Sequence, residues 1–196
     1  MSEVPRGRLS KAERREQLLE TALEIVREEG TDALTLGRVA ERAGVTKPIA
    51  YEHFGTRSGL LIALCERIDV RQRALLFEAL ERAPARLADL ARVAGRAYMH
   101  CYNSVGPEWY ALTAALKGDD EMEAFRQRLL DEYVAIYRDT FAPYAKLPRR
   151  ELHLRCVGIV GAAESIAGEM LRERTSESAA AEALAALIVA WLPAKG

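Results

Sequence analysis

Cysteine, long apolar runs and strand-like alternation are what this chain has little of, and each shortage excludes something. Cys65, Cys101 and Cys156 are its three cysteines. They are odd in number, far apart and set on apolar stretches that read as helix faces, which speaks against a disulfide framework or a metal cluster. No uninterrupted apolar run is long enough to span a bilayer, and the first residues hold no apolar signal core. The expected location is therefore the cytoplasm. Alternating β-branched runs do not occur, so strands are not expected. No HExxH, CxxC, GxSxG, P-loop or GxGxxG appears, and His53, His100 and His153 have no metal-ligand spacing with one another. The expectation is a protein with no cofactor, no metal and no catalytic residue. Asp119, Asp120 and Glu121 cluster, but at a predicted helix start acidic residues simply suit the dipole.

An excess of one charge sign is also missing. The formal net charge of -1 over 196 residues argues against a globally basic nucleic-acid binder. Locally the picture differs, because Arg6, Arg8, Lys11, Arg14 and Arg15 oppose only Glu3 and Glu13 before residue 16. Met1 to Leu9, with Pro5 and Gly7, has the composition of a flexible arm, either a minor-groove reader or a solvated tail.

What is present is helix, with 49% hydrophobic residues to bury. Ser10 and Glu13 spell a capping box, and Leu18, Ala22, Ile25 and Val26 form the stripe of a helix ending at Gly30. The stretch TLGRVAERAGVTKPIAYEHFGTRSGL, Thr35 to Leu60, then spells two short helices and a tight turn. Thr35 is an N-cap residue, and Leu36, Val39, Ala40 and Ala43 fall on one face. Gly44 ends that helix and Thr46 is expected to cap the next, with Pro48 in its first turn, where a missing N–H costs nothing. Ala50 and Phe54 face inward, leaving Lys47, Tyr51 and His53 outward and Thr46, Pro48 and Ile49 at the exposed leading end. A cation, hydroxyls and an imidazole beside a positive dipole end suit phosphate contact. This is helix-turn-helix geometry, in which the second helix enters the major groove.

The pattern AxxAGVTKPxxYxHFxxRxxLL, carried by Ala40, Ala43, Gly44, Val45, Thr46, Lys47, Tyr51, His53 and Phe54, resembles the tetracycline-repressor (TetR) family of transcriptional regulators. The resemblance covers about Ser10 to Leu61. It implies that Thr35, Thr46, Lys47, Tyr51 and His53 touch DNA phosphates and that Pro48 and Ile49 lie near base edges. Arg57 stands where the family most often has lysine, which preserves a phosphate contact but not its geometry. Ile49 is bulkier than usual and can meet a thymine methyl, and Glu52 either accepts from cytosine or points to solvent.

Beyond the head, a long helix is predicted through Leu60, Leu61, Leu64, Ile68, Leu75, Leu76 and Leu80 to about Arg82, broken by Pro84. Further helices are expected at about 86–104, 107–117, 119–144, 148–174 and 176–192. The expected fold is all-α: a three-helix head (residues 1–56) joined by the long helix to a ligand-binding and dimerisation bundle (57–196). Tyr98, Tyr102, Trp109, Tyr110, Tyr133 and Tyr137 line either a core or a ligand cavity. The accompanying His100 and Asn103 favour a cavity, because buried polar groups need partners. Val157, Gly161, Glu164 and Gly168 share a face on VGIVGAAESIAGEML, and Leu184, Ile188 and Trp191 share one on the last helix. Helical glycines invite close approach of another helix, so these residues are expected to form a four-helix dimer interface, an arrangement the resemblance also implies, or else ordinary intrachain packing.

The reading is a homodimeric regulator, a repressor, binding a palindromic operator in double-stranded DNA and released by an unknown small-molecule effector. The alternative is an all-α enzyme or small-molecule-sequestering protein with a vestigial head.

Overall fold

A computed structural model of the chain describes residues 9–105, 112 and 120–193. Helices α1 (Lys11–Glu29), α2 (Leu36–Arg42), α3 (Lys47–Phe54) and α4 (Arg57–Arg82) come first. Then follow α5 (Leu87–Val105), α6 (Asp120–Phe141), α7 (Arg149–Leu171) and α8 (Glu177–Trp191). The described residues are helical with no strand, as the missing alternation predicts. The expected helix over 107–117 lies outside the described residues apart from Leu112, which is helical.

Local chemistry explains most boundaries. Ser10 accepts from the Glu13 amide while the Glu13 carboxylate accepts from the Ser10 amide, so two orphan donors of α1 are satisfied together. Thr35, Thr56 and Ser176 cap α2, α4 and α8 through their hydroxyls. Pro84 follows α4, and Pro148 stands at the N-cap of α7.

Two apolar cores result. In the head, Leu18, Leu19, Ala22 and Ile25 of α1 pack with Val39, Ala40, Ala50, Phe54, Leu60, Leu61 and Leu64. Leu112, Met122 and Phe125 close the same core from the body side. The head's interior therefore does not stop at the end of α3. The second core joins Leu76, Met99, Tyr137, Phe141, Ile159, Leu184 and Ile188 among others. At about 1.5 Å per residue, the 26 residues of α4 span about 39 Å, with its first turns in one core and Leu76 in the other.

Helix α5 packs closely on α8. A side chain at Gly95 would meet the Ala181 carbonyl oxygen at 2.6 Å, so only glycine lets the two backbones come this close. This contact corrects one expectation. Leu184 and Ile188, assigned to a face toward a partner, are fully buried in the chain's own core, because α8 turns that side toward its neighbouring helices. Gly168 is covered by its own Arg172 guanidinium. Val157, Gly161, Glu164 and Trp191 do face outward.

His100 and Asn103 are also displaced from their expected place. Both are exposed on α5, where they bond the Glu177 carboxylate at the start of α8 instead of turning inward. Tyr98, Tyr102, Tyr133 and Tyr137 come together inside the bundle, whereas Trp109 and Tyr110 lie outside the described residues. Burial pushes the thiols of Cys65 and Cys101 up to about 12 and that of Cys156 to about 11, so all three stay protonated and inert at neutral pH. Among the described residues no helix is long and apolar enough to cross a membrane.

Candidate nucleic-acid interface

The turn between α2 and α3 is built by Gly44. Its φ of +68° lets the Val45 amide reach back to the Ala40 carbonyl (2.9 Å) and the Gly44 amide to that of Glu41 (3.1 Å). Paired bonds of this kind satisfy the last carbonyls of a helix and send the chain off at a fixed angle. α3 is thereby held with Ala50 and Phe54 in the core and Lys47, Pro48, Tyr51 and Glu52 exposed.

Lys47, Pro48 and Tyr51 are exposed on α3, Tyr51 by 54%. Ile49 is half-buried against the head's core, which limits how far its side chain can reach toward a partner. The Lys47 stem lies over α2, where a side chain at Gly37 would sit 3.5 Å from its Cε. Thr46 occupies the N-cap position, but its hydroxyl makes no capping bond, contrary to expectation. The leading end of α3 is therefore left without a side-chain cap, at an exposed residue. Thr35 behaves as predicted, accepting from the Arg38 amide at 3.1 Å while staying exposed.

Three side chains differ from the sequence-based reading or add to it. Arg57, expected at a phosphate, donates through Nε to the Leu34 carbonyl (2.9 Å) and through Nη2 to that of Thr31 (2.7 Å). Its guanidinium thus braces the turn that presents Thr35. Glu52, read as facing cytosine or solvent, is exposed and pairs with Lys11 of α1 at 3.0 Å. This contact masks part of its charge while adding little stability. His53 is half-buried, and desolvation, helped by the nearby Lys11, Arg15 and Arg14 cations and opposed by Glu52, holds its imidazole below the ordinary value.

Those three cations are the part that motif reading did not assign to the interface. The first turns of α1 sit beside α3, with the Arg15 guanidinium 5.5 Å from the centre of the Phe54 ring. The basic count before residue 16 was visible in the sequence, but its position against α3 depends on helix packing. At the other end of the head, Glu28 and Glu29 of α1 bind Arg42 and Arg38 of α2, with 2.9 Å between Arg38 and Glu29. Positive charge is neutralised there and left near α3.

The junction of α3 and α4 is equally constrained. Gly55 has a φ of +67°, and a Cβ on Gly59 would lie 2.2 Å from the Phe54 carbonyl oxygen. The long helix thus abuts the end of the exposed one, so a movement of α4 carries α3 with it.

Residues 18–64 match the family model described as bacterial regulatory proteins, tetR family. Over that stretch the head of the chain is similar to the TetR family. Among its relatives, the HTH-type transcriptional activator FasR of Mycolicibacterium smegmatis is 42% identical over 61 residues, 31% of this chain and 28% of that protein. The HTH-type transcriptional regulator BetI of Rhizobium meliloti is 30% identical over 123 residues, 61% of this chain and 58% of that one. The matched stretch therefore spans less than two thirds of the length of either relative. In fold, the chain resembles a solved TetR-like transcriptional regulator from Rhodococcus sp. RHA1, with a TM-score of 0.69 at 20% identity, covering 92% of this chain and 96% of that one. The likeness reaches well past the TetR-like head into the bundle.

Proposed function

We propose that this chain is a DNA-binding transcriptional regulator, a repressor, that grips a palindromic operator as a homodimer and is released by a small-molecule effector. The observation that carries the reading is the exposed face of α3, where Thr46, Lys47, Pro48 and Tyr51 stand outward beside the cations of α1. Thr35, Thr46, Lys47, Tyr51 and His53 contact phosphates, and Pro48 and Ile49 approach base edges. Arg57 acts indirectly, by fixing the turn before Thr35.

The homodimer is supported by an exposed apolar patch on α7 and α8. Leu154 and Val157 are 61% and 47% exposed, and Trp191, 45% exposed, lies over the neighbouring Gly158. Gly161 is open, with nothing within 4 Å of where a side chain would start. An apolar patch around a flat glycine suits a second helix pair, and isologous packing would set two α3 helices at one spacing. Residues 1–56 form the DNA-binding unit and 57–196 the ligand-binding and dimerisation unit, coupled through α4.

The test is a gel shift with the DNA flanking the chain's own gene at moderate salt, run beside light scattering. A dimeric mass and retention of that DNA against competitor are expected. A monomer at micromolar concentration removes the dimer, and indifference to the flanking DNA removes the regulator.

A further inference from the structure

Where α4, α5 and α6 meet, the bundle holds a buried carboxylate that its own partners do not fully satisfy. Asp69 on α4 is 3% exposed. One of its oxygens, Oδ2, forms an ion pair with Arg73 Nε at 2.7 Å, and the Tyr133 hydroxyl of α6 also bonds this carboxylate. The other oxygen, Oδ1, is buried with no hydrogen-bond partner among the described residues, and the buried Tyr137 hydroxyl is in the same position. Buried polar atoms are almost always paired, so two orphans in one interior call for an explanation. The surroundings are aromatic. Tyr98 and Tyr102 stack with ring centres 5.2 Å apart, and the Tyr133 ring meets Tyr98 edge-on at 6.4 Å.

The charges around Asp69 do not balance. Arg73 is the cation that stabilises it, and Arg73 is shared with Glu132, while Glu66 and Glu132 both add negative potential from the surface. Among these described residues, three carboxylates thus stand against one guanidinium. Arg67 does not correct this, because it lies two residues away, on the far side of α4, where Glu16 and Glu20 of α1 hold it. Its buried Nη1 is also unpartnered among the described residues, but it belongs to that head-facing side.

We propose that the effector of this regulator is a protonated amine on an apolar body, its ammonium donating to Asp69 Oδ1 and its body lying among Tyr98, Tyr102 and Tyr133. A carboxylate lone pair in a water-poor site accepts most strongly from a charged donor, and tyrosine faces are tolerant of cations. The Tyr137 hydroxyl offers a second hydrogen-bonding point for a ligand with another polar group. An anion would face the uncompensated carboxylates, and a neutral alcohol would gain only the weaker bond. Asp69 lies on the same helix as Leu61 and Leu64 of the head's core, so an amine at its free oxygen acts on the element that abuts α3.

This inference rests on the effector-release reading above, and its test separates the two. The intact chain is titrated calorimetrically at pH 7 with 4-phenylbutylamine, 4-phenylbutanol and 4-phenylbutyrate, which share one body and differ in charge. The amine is expected to bind at least about ten-fold more tightly than the alcohol, with the acid weakest. Asp69→Asn, checked for folding by circular dichroism, should bring the amine down to the level of the alcohol. Equal binding of the three probes by the native chain overturns the proposal, as does a folded Asp69→Asn variant that keeps the amine's advantage. If that variant does not fold, the ranking of the three probes on the native chain decides alone. Amine preference without operator binding upholds the site and removes the regulator; operator binding with no amine preference does the reverse.

Discussion

The head and the body of this chain treat polar groups in opposite ways. In the head, charged side chains sit at the surface in pairs such as Lys11–Glu52 and Arg38–Glu29, and Thr46, Lys47 and Tyr51 stay exposed on α3. In the body, Asp69 and the tyrosines are drawn inside, where two of their oxygens lack partners among the described residues. A surface meant for a highly charged polymer needs exposed, individually weak contacts, because DNA binding sums many phosphate neutralisations. An interior meant for a small molecule concentrates its specificity in a few buried atoms. The contrast also locates sensitivity: single changes on α3 should alter affinity without unfolding, whereas changes inside the body should cost stability first.

The largest effects are expected from breaking either core. Phe141→Ala in the body should cost about 3–5 kcal/mol and Leu61→Ala in the head about 2–5 kcal/mol, measured by urea denaturation. Both residues are fully buried. Because Met122 and Phe125 seal the head's core, the two variants should shift one shared transition. Two separate transitions would mean that head and body fold independently. Gly59→Ala comes next, at about 1–3 kcal/mol, since its methyl would press on the Phe54 carbonyl. It should also lower DNA affinity by tilting α3 against α4, which fluorescence anisotropy on labelled operator would detect.

Lys47→Ala should leave the melting temperature unchanged but weaken all DNA sequences alike, reducing the salt slope of log K by about one. An unaltered slope would assign the phosphate contact elsewhere. A smaller effect concerns His53. Desolvation and neighbouring cations depress its pKa in the free protein, below the ordinary 6.5, and a phosphate beside it would raise it again. Binding then takes up a proton, so operator affinity should rise as pH falls from 8 to 6, by less than ten-fold per unit. His53→Asn should flatten that part of the profile. The same depressed pKa makes His53 a small liability for folding: its contribution to stability is present above 6.5 and is lost as pH falls below it. The smallest change belongs to Glu52→Gln, where both partners of the ion pair are exposed. No shift in melting temperature is expected, only slightly tighter DNA binding at low salt.

How far such expectations could be read in advance differs along the chain. The capping box of Ser10 and Glu13, the cap Thr35, the Gly44 turn and the outward Lys47 and Tyr51 were all legible, because each depends on neighbours within about five residues. Thr46 was misjudged even at this range, since position gave the cap but not the hydroxyl's direction. The bonds of Arg57 escaped a local reading for another reason: the Thr31 and Leu34 carbonyls it serves are more than twenty residues earlier. In the body, helical spacing showed that Leu184 and Ile188 share a face with Trp191. It did not show that this face turns largely inward, nor that His100 and Asn103 are exposed on α5.

By itself, then, the sequence determined the all-α class, the positions of most helix ends and the identity of the head, through caps, glycine turns and apolar periodicity acting over single turns of chain. Only the tertiary structure decided which side of α8 is core, which cations reach α3, and that Asp69 is buried with an oxygen to spare. The physical reason is that local rules fix each helix's amphipathic pattern, whereas burial and charge pairing depend on the rotation and approach of several helices at once, set here by contacts as close as Gly95 on Ala181.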